Sequence, residues 1–382
     1  MARPLSVILR VLAIAGSIAG LAIWYTATRL NAPLDAGSPW RLAVWAGVLL
    51  VWLFPLARLL TMNRGSFHAL THGGFYLVGL GATLLVGLWI LDIVGLVLGH
   101  FLVQMPASSP WTLLALCVGL TLFGLSQALK GPAVKYVPIV QHGLAKGLQG
   151  LRIAQISDLH VSSLLGADYV QRIVDLVMAE KPDLIAVTGD LVDGPRHELQ
   201  GAVAPLSGLK APLGTFYVTG NHEYIWGAAA WVKDFKSLGF TVLDNAHRVV
   251  EREHATMLVA GINDLSAGRM GSADRPDADK AVQGAPATDF RLFLAHQPGA
   301  WPLAEHIRAD LMLSGHTHAG QFFPFPGIVK LFHRYFNGLY RHKDKMWIYV
   351  NPGAGFWGPP NRLGVPTEIT LIELLGAKAT PA

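Results

Sequence analysis

Four apolar stretches dominate the first third of the chain, at residues 11–25, 40–56, 69–103 and 111–128. A membrane-spanning helix needs about 20 predominantly apolar residues, so we expect spans over about 5–25, 40–57, 70–103 and 111–129. The first stretch could instead be a cleaved signal peptide, although further apolar runs follow it and no small-residue cleavage site stands out. The pattern therefore predicts an all-α transmembrane region of about four helices over residues 1–131.

The pattern changes near residue 132, where short apolar runs begin to alternate with amphipathic stretches. Amphipathic spacing predicts helices over 167–180 and 226–238. The apolar runs predict strands over 151–157, 183–188, 215–219, 257–262, 290–295, 310–314, 347–350 and 368–374. Such alternation is typical of α/β layers. We therefore predict an α/β domain over 132–376 and a short tail over 377–382.

The segment 263–289 is rich in glycine, alanine and aspartate and has no periodicity. We interpret it as a surface loop. A role as a lid over a substrate is the alternative.

Charged residues divide at the same boundary as hydropathy. Residues 1–150 carry nine Lys and Arg and two acids, a net charge of +7, while the remainder carries 21 bases and 23 acids, a net charge of −2. No basic stripe marks the second part, so nucleic acid is not an expected partner. Six bases flanking the predicted spans fall on one side, against Arg29 and Arg41 on the other: Arg3, Arg10, Arg58, Arg64, Lys130 and Lys135. This bias predicts that the N-terminus and the α/β domain are cytoplasmic.

The mid-span ionisable candidates are Asp92 and His100, in the predicted third span. An ionisable residue within a membrane is a candidate for function. Asp92 has no evident partner in the sequence, so we interpret the helices as an anchor, with transport or sensing as the alternatives. The single cysteine, Cys117, excludes an intrachain disulfide.

Polar motifs stand where five of the predicted strands end. Ligands of α/β sheets bind just beyond the carboxyl ends of strands, so these motifs are expected to meet. Their carboxylate, imidazole and amide groups suit two divalent ions, Mn, Fe or Zn, better than a soft metal. The motifs offer as candidate ligands Asp158, His160, Asp190, Asn221, His222, Glu223, His296, His316 and His318.

The five motifs, in this order, resemble the calcineurin-like metallophosphoesterase superfamily over about residues 132–375. They read Asp158-Leu-His160, Gly189-Asp190, Gly220-Asn-His-Glu223, His296 and Gly315-His-Thr-His318. The extension to Gln321 and the late segment Arg362–Ile369 are most similar to the bacterial membrane-associated branch. The resemblance implies a four-layer α/β/β/α sandwich and a bacterial inner-membrane location.

The resemblance also implies the roles of individual residues. Asp190 would bridge two metals, one held with Asp158, His160 and His318, the other with Asn221, His296 and His316. A metal-bridging hydroxide would attack phosphorus, and His222 would protonate the leaving oxygen. Asp193, Glu223 and Gln321 would orient these groups or the substrate. A turn cap for Asp193 and a structural turn for Gln321 are alternatives.

The expected reaction is hydrolysis of a phosphomonoester, phosphodiester or pyrophosphate. Aromatic and basic residues crowd the segments 322–336 and 341–345, which predicts either a core turn with a solvated basic face or an element that meets anionic lipids. Phe356 and Trp357 could add to that element, and the substrate would then be lipid-linked. A membrane sensor or scaffold with a structural metal site is the alternative function.

Overall fold

The structure, a computed structural model, describes residues 5–61, 68–99 and 109–377. Two compact units divide the chain: Met1–Ser126 with Gly358–Leu363, and Gln127–Trp357 with Gly364–Ala382. Several positions named above lie outside the described residues: Arg3, Arg64, residues 100–103 of the third predicted span, and residues 378–382 of the tail.

The first unit is helical. In the described residues its helices are α1 (Leu5–Asn31), α2 (Trp40–Thr61), α3 (His68–Gly99) and α4 (Ser109–Lys130), the last of which continues into the second unit. Two segments are long and apolar enough to cross a membrane, Gly74–Val97 and Pro110–Lys130, while Trp40–Leu53 is a shorter apolar helix. The prediction of apolar N-terminal helices is therefore confirmed for two spans.

Asp92 has partners on α1 that were not evident in the sequence. Tyr25 donates a hydrogen bond of 2.5 Å to its carboxylate, and Arg29 forms an ion pair with it. Tyr25 and Arg29 are four residues apart and therefore share one face of their helix. The pair offsets the cost of an acid among apolar helices. Arg29 also belongs to the last turn of α1 rather than to a connecting loop.

The second unit contains two six-stranded sheets. The strands are β1 (Ala133–Gln141), β2 (Arg152–Ile156), β3 (Leu184–Val187), β4 (Thr215–Tyr217), β5 (Thr241–Val242), β6 (Ala246–Arg252), β7 (Ala255–Gly261), β8 (Phe290–Leu294), β9 (Leu311–Ser314), β10 (Gly338–His342), β11 (Met346–Val350) and β12 (Glu368–Gly376). The helices are α5 (Ala167–Ala179), α6 (Arg196–Val203), α7 (Asn221–Trp226), α8 (Ala228–Ser237), α9 (Ala278–Val282), α10 (Trp301–His306) and α11 (Phe325–Phe332). The sheet orders are β1-β12-β2-β3-β4-β5 and β10-β11-β9-β8-β7-β6.

Apolar residues on both faces of the central strands arrange these elements in layers. One core cluster joins the facing sides of the sheets, with Ile153 and Ala186 opposite Leu292 and Leu313. A second lies between the first sheet and α5, α6 and α8. A third lies between the other sheet and α9 and α10. Strands buried on both faces appear in the sequence as continuous apolar runs, so these strands could be predicted. The layers confirm the α/β prediction.

Four of the observed strands were not predicted from the sequence: β1, β5, β6 and β10. β1 contains Pro138 and lies at a sheet edge, where it pairs in parallel with β12 along nine residues. Proline is tolerated in edge strands, where a missing N–H breaks no ladder bond. Its edge position also leaves Tyr136 and Val140 exposed, so the strand lacks the apolar signature of its neighbours.

The segment 263–289 is only partly a surface loop, which corrects the sequence interpretation. It contains α9, and Asp264, Ala278 and Ala281 are buried. The Asp264 carboxylate accepts hydrogen bonds from the Gln297 amide at 2.9 and 3.0 Å. Polar contacts of this kind leave no periodic trace in the sequence.

Candidate metal centre

The chain turns sharply just past β2, β3 and β9. Five of the predicted ligands have left-handed backbone conformations, with φ between 47° and 70°: Asp158, His160, Asp190, His316 and His318. A non-glycine residue held there costs about 1–3 kcal/mol, and such strain is concentrated at functional sites. The turns direct these side chains into one space at the carboxyl ends of the strands.

Two glycines permit this crowding. A Cβ atom on Gly315 would lie 1.9 Å from Ser157 Oγ and 2.0 Å from Asp158 Oδ2. A Cβ atom on Gly220 would lie 2.1 Å from Asp190 Oδ1. Only glycine therefore lets these turns approach the two carboxylates.

The first group of ligand atoms comes from both sheets. Nε2 of His318 lies 3.0 Å from Nε2 of His160 and 3.3 Å from Oδ1 of Asp158. The His160 Nε2 atom is 4.0 Å from the same Asp158 oxygen. All three side chains are buried.

The second group surrounds His296. Its Nε2 atom lies 3.1 Å from Oδ2 of Asp190, 3.2 Å from Oδ1 of Asn221 and 3.2 Å from Nδ1 of His316. The other ring nitrogen, Nδ1, lies 2.8 Å from the Thr188 carbonyl oxygen. A proton on Nδ1 donated to that carbonyl leaves the Nε2 lone pair for a metal.

Asp190 lies between the two groups. Its Oδ1 atom accepts the backbone N–H of His222 at 2.8 Å. Its Oδ2 atom is 3.8 Å from His160 Nε2 and 3.1 Å from His296 Nε2. One oxygen is thus fixed by the backbone, and the other faces a ligand nitrogen of each group.

These distances fit bound divalent ions. Two ligand atoms, each about 2.1 Å from one ion, lie roughly 3.0 Å apart at a right angle and roughly 4.2 Å apart across the ion. The separations within the two groups, 3.0 to 4.0 Å, fall in that range. The donor set of carboxylates, imidazoles and an amide oxygen suits Mn, Fe or Zn.

The protonation states of three ligands agree with this fit, because metal ligands must be unprotonated. Burial opposes ionisation of Asp158, but the nearby His318 keeps the pKa of this carboxyl below its usual value. Burial and a neighbouring imidazole lower the pKa of His160 to about 3, and the same causes lower the pKa of His316 to about 3. His296 differs, because burial opposes charge on its imidazole but Asp190 raises its pKa well above 6.5. A metal bound at Nε2 would therefore take the place of a proton there. The buried carboxylates therefore attract positive charge to this point.

His222 lies beside the first group, with its ring edge-on to that of His160 at 4.5 Å between centroids, and forms a further cluster with His160 and Asp193. Its Nδ1 atom lies 3.0 Å from Oδ1 of Asp193, and Trp226 Nε1 donates to the same oxygen at 3.0 Å. Burial lowers the pKa of His222, but the hydrogen bond and charge of Asp193 outweigh it and raise the pKa to about 9. Asp193 therefore fixes the ring of His222 and favours its protonated form.

Glu223 acts on backbone rather than on imidazole. Its Oε2 atom accepts N–H groups of Gly220 at 2.6 Å and Asp190 at 3.1 Å, and its Oε1 atom accepts that of Leu191 at 2.7 Å. The buried carboxylate joins the turns after β3 and β4. It thereby fixes the backbone of Asp190.

Gln321 clamps Trp357 rather than the substrate. Its Nε2 atom donates to the Trp357 carbonyl oxygen at 3.0 Å, and its Oε1 atom accepts the Trp357 N–H at 3.0 Å. The residue has a left-handed φ of 62°. Of the two sequence interpretations, the structural one describes these contacts.

A pocket of about 280 Å³ opens over the candidate site. His160, Asp190, Asn221, His222, His316 and His318 line it together with Thr317, Val329, His333 and Trp357. Val329 and His333 were not among the predicted site residues, since a pocket wall contributed by the segment after the last motif has no ligand spacing that would identify it.

Comparison with known proteins agrees with this geometry. The calcineurin-like phosphoesterase family model matches residues 151–320, which contain all seven predicted ligands. An uncharacterized metallophosphoesterase of Campylobacter jejuni is 34% identical, covering 70% of this chain and 70% of its own length. The chain belongs to the calcineurin-like phosphoesterase family. The family is one of metal-dependent phosphoric ester hydrolases.

Two further family members match at higher identity. An uncharacterized metallophosphoesterase of Helicobacter pylori is 40% identical over 66% of this chain and 66% of its own length. A protein of Danio rerio named "Transmembrane protein with metallophosphoesterase domain" is 38% identical over 69% of this chain. The chain spans 62% of the length of that relative.

Proposed function

We propose that this protein is a membrane-anchored phosphoesterase with a two-metal centre. The main support is the position of Asp190 between two buried groups of ligands. Its Oδ2 atom lies 3.8 Å from Nε2 of His160 in the first group and 3.1 Å from Nε2 of His296 in the second. A shared carboxylate offsets the repulsion between two neighbouring cations. The ligand set is complete in both groups, which favours turnover over a purely structural site.

The chain supplies four residues to each metal. Asp158, His160, Asp190 and His318 would hold the first, and Asp190, Asn221, His296 and His316 would hold the second. Two divalent ions here would supply Lewis acidity and a hydroxide nucleophile at neutral pH. His222 protonates the leaving oxygen through Nε2, since Asp193 occupies Nδ1. Metal identity is proposed as Mn, Fe or Zn.

The substrate is proposed to be a phosphomonoester, phosphodiester or pyrophosphate with an apolar chain. Support comes from exposed apolar residues beside the pocket, Phe323 and Trp357 among them. The apolar helices support a multi-pass anchor in a bacterial inner membrane. The base counts around the spans support a cytoplasmic phosphoesterase unit.

Hydrolysis of a generic aryl phosphodiester tests the proposal. The full-length protein with added Mn²⁺ should hydrolyse it, and EDTA or Asp190→Asn should abolish the reaction. Asp279→Asn is the matched control, because Asp279 is 81% exposed and lies outside the site. Metal-loaded wild type without activity on any phosphoester would instead support a sensor or scaffold.

A further inference from the structure

Helix α11 presents apolar side chains to solvent at the mouth of the pocket. None of its residues is buried. Leu331 and Phe332 are 82% and 79% exposed, and Ile328 is 46% exposed. Clusters of exposed large apolar residues on a soluble unit mark an interaction surface.

The two faces of α11 have different surroundings. Val329 lines the pocket beside the ligands, as does His333 just past the helix, while Leu331 and Phe332 do not. The helix therefore forms a wall with the candidate site on one side and solvent on the other. Phe323 and Trp357 add exposed rings next to it. We call the five residues Phe323, Ile328, Leu331, Phe332 and Trp357 the apolar rim.

The chain segment that carries α11 has charges of one sign, since residues 322–342 contain no acid. Lys330 on the helix is exposed, while the guanidinium of Arg334 lies over the rings of Trp301 and Tyr335 at 5.2 and 5.4 Å. Residues 341–345 lie away from the rim. They precede β11, which runs parallel to β9. Because the ligands follow the carboxyl end of β9, the turn before β11 lies at the opposite end of the sheet. Lys343 also pairs there with Glu305 at 2.5 Å. Phe356 is buried in the core. The sequence analysis joined all these residues in one surface; the structure limits that surface to α11, Phe323 and Trp357.

We propose that the apolar rim inserts into the headgroup region of an anionic lipid leaflet, so that the pocket takes its substrate from the bilayer. Apolar side chains flanked by bases are the pattern that binds such a surface. The apolar helices of the same chain keep the unit near a membrane, and this proximity raises the effective concentration of lipid. The substrate part of this inference rests on the proposed function, whereas the docking does not.

A fluorescent label on the rim tests docking without any catalysis. Full-length Leu331→Cys, in a Cys117→Ala background that removes the single native cysteine, carries a bimane label in phosphatidylcholine–phosphatidylglycerol vesicles. The matched control is Glu251→Cys, in the last residues of β6 before the turn, where the β6–β7 hairpin lies at the end of the sheet opposite the ligands. The Glu251 side chain is 66% exposed. A lipid-attached nitroxide should quench the label at residue 331 and spare the one at residue 251.

Two outcomes would overturn docking. One is a label at residue 331 that aqueous iodide quenches as fully as the control label. The other is quenching that depends on protein density rather than on the nitroxide lipid, because that would show a second copy of this chain on the rim. Docking also predicts weaker quenching for Lys330→Glu, or when phosphatidylglycerol is omitted.

The substrate source has its own test, the double variant Leu331→Ser and Phe332→Ser. Its kcat/KM on a soluble aryl phosphodiester should equal that of wild type, while hydrolysis of phosphatidic acid in vesicles falls by about tenfold or more. Equal losses of activity on both substrates would contradict the proposal that the substrate comes from the bilayer. If metal-loaded wild type hydrolyses neither, the proposed function fails, and the fluorescence result still decides the docking.

Discussion

At the scale of single residues, three groups of the candidate site are each held by a specific hydrogen-bond partner. Asp193 holds His222, Thr188 holds His296, and Glu223 holds the backbone of Asp190. The seven predicted ligands lie together because each motif ends a strand, a relation that is visible in the sequence. The clamp between Gln321 and Trp357 spans 36 residues and depends on tertiary structure, so spacing could not reveal it.

His222→Ala should separate proton transfer from metal binding. We expect kcat to fall roughly 10²- to 10⁴-fold. Metal content should be unchanged, because the hydrogen bond of the imidazole goes to Asp193 and its ring only packs edge-on against the ligand His160. Metal analysis and steady-state kinetics check this, with the exposed His254→Ala as control. Loss of metal would show that His222 is a ligand.

Glu223→Gln should weaken the joined turns. The amide keeps one acceptor for Gly220 and Asp190 but places an NH₂ group against the Leu191 N–H, leaving a buried donor unsatisfied. We expect a loss of about 1–3 kcal/mol in the free energy of unfolding, measured in denaturant with Glu251→Gln as the exposed control. A stability equal to wild type would contradict the assigned role.

At the scale of elements, the turns after the strands matter more than the strands. The central strands were predictable because they are buried on both faces. The edge strands β1 and β10 and the short β5 were not, since their residues are half exposed and their pairing is set by distant partners. The sequence did not decide between a core turn and a surface element for α11, because apolar residues suit both. The exposure of Leu331 and Phe332 in the structure decides for a surface element.

Gly315→Ala should disrupt the first ligand group. Its Cβ atom would overlap Ser157 and Asp158 at about 2 Å, so the turn or the carboxylate must move. We expect loss of bound metal and a lower Tm. Gly201→Ala, in α6 with nothing within 4 Å of its Cβ, should instead be neutral or add about 0.5–1 kcal/mol. Full metal binding by Gly315→Ala would contradict the close packing.

At the scale of the whole molecule, hydropathy and charge predicted an apolar helical part and a mixed α/β part, and two compact units divide the described residues near residue 126. Span number and orientation are proposals. The Arg29–Asp92 pair shows the limit of the sequence: bases counted as loop charges can be paired inside a helical unit.

Orientation predicts the labelling of a cysteine in the phosphoesterase unit. Glu251→Cys in the Cys117→Ala background should resist a membrane-impermeant maleimide in intact cells and react after lysis, because the base counts favour a cytoplasmic location. Labelling in intact cells would place this unit on the outer side.

The central claim is a two-metal centre bridged by Asp190, and metal stoichiometry tests it most directly. Purified full-length protein, saturated with Mn²⁺ and desalted, should retain two ions per chain, as a bridged site requires. Asp190→Asn should retain one or none, because the bridge contributes to both ligand groups. One ion per chain in wild type, or two in Asp190→Asn, would contradict the account.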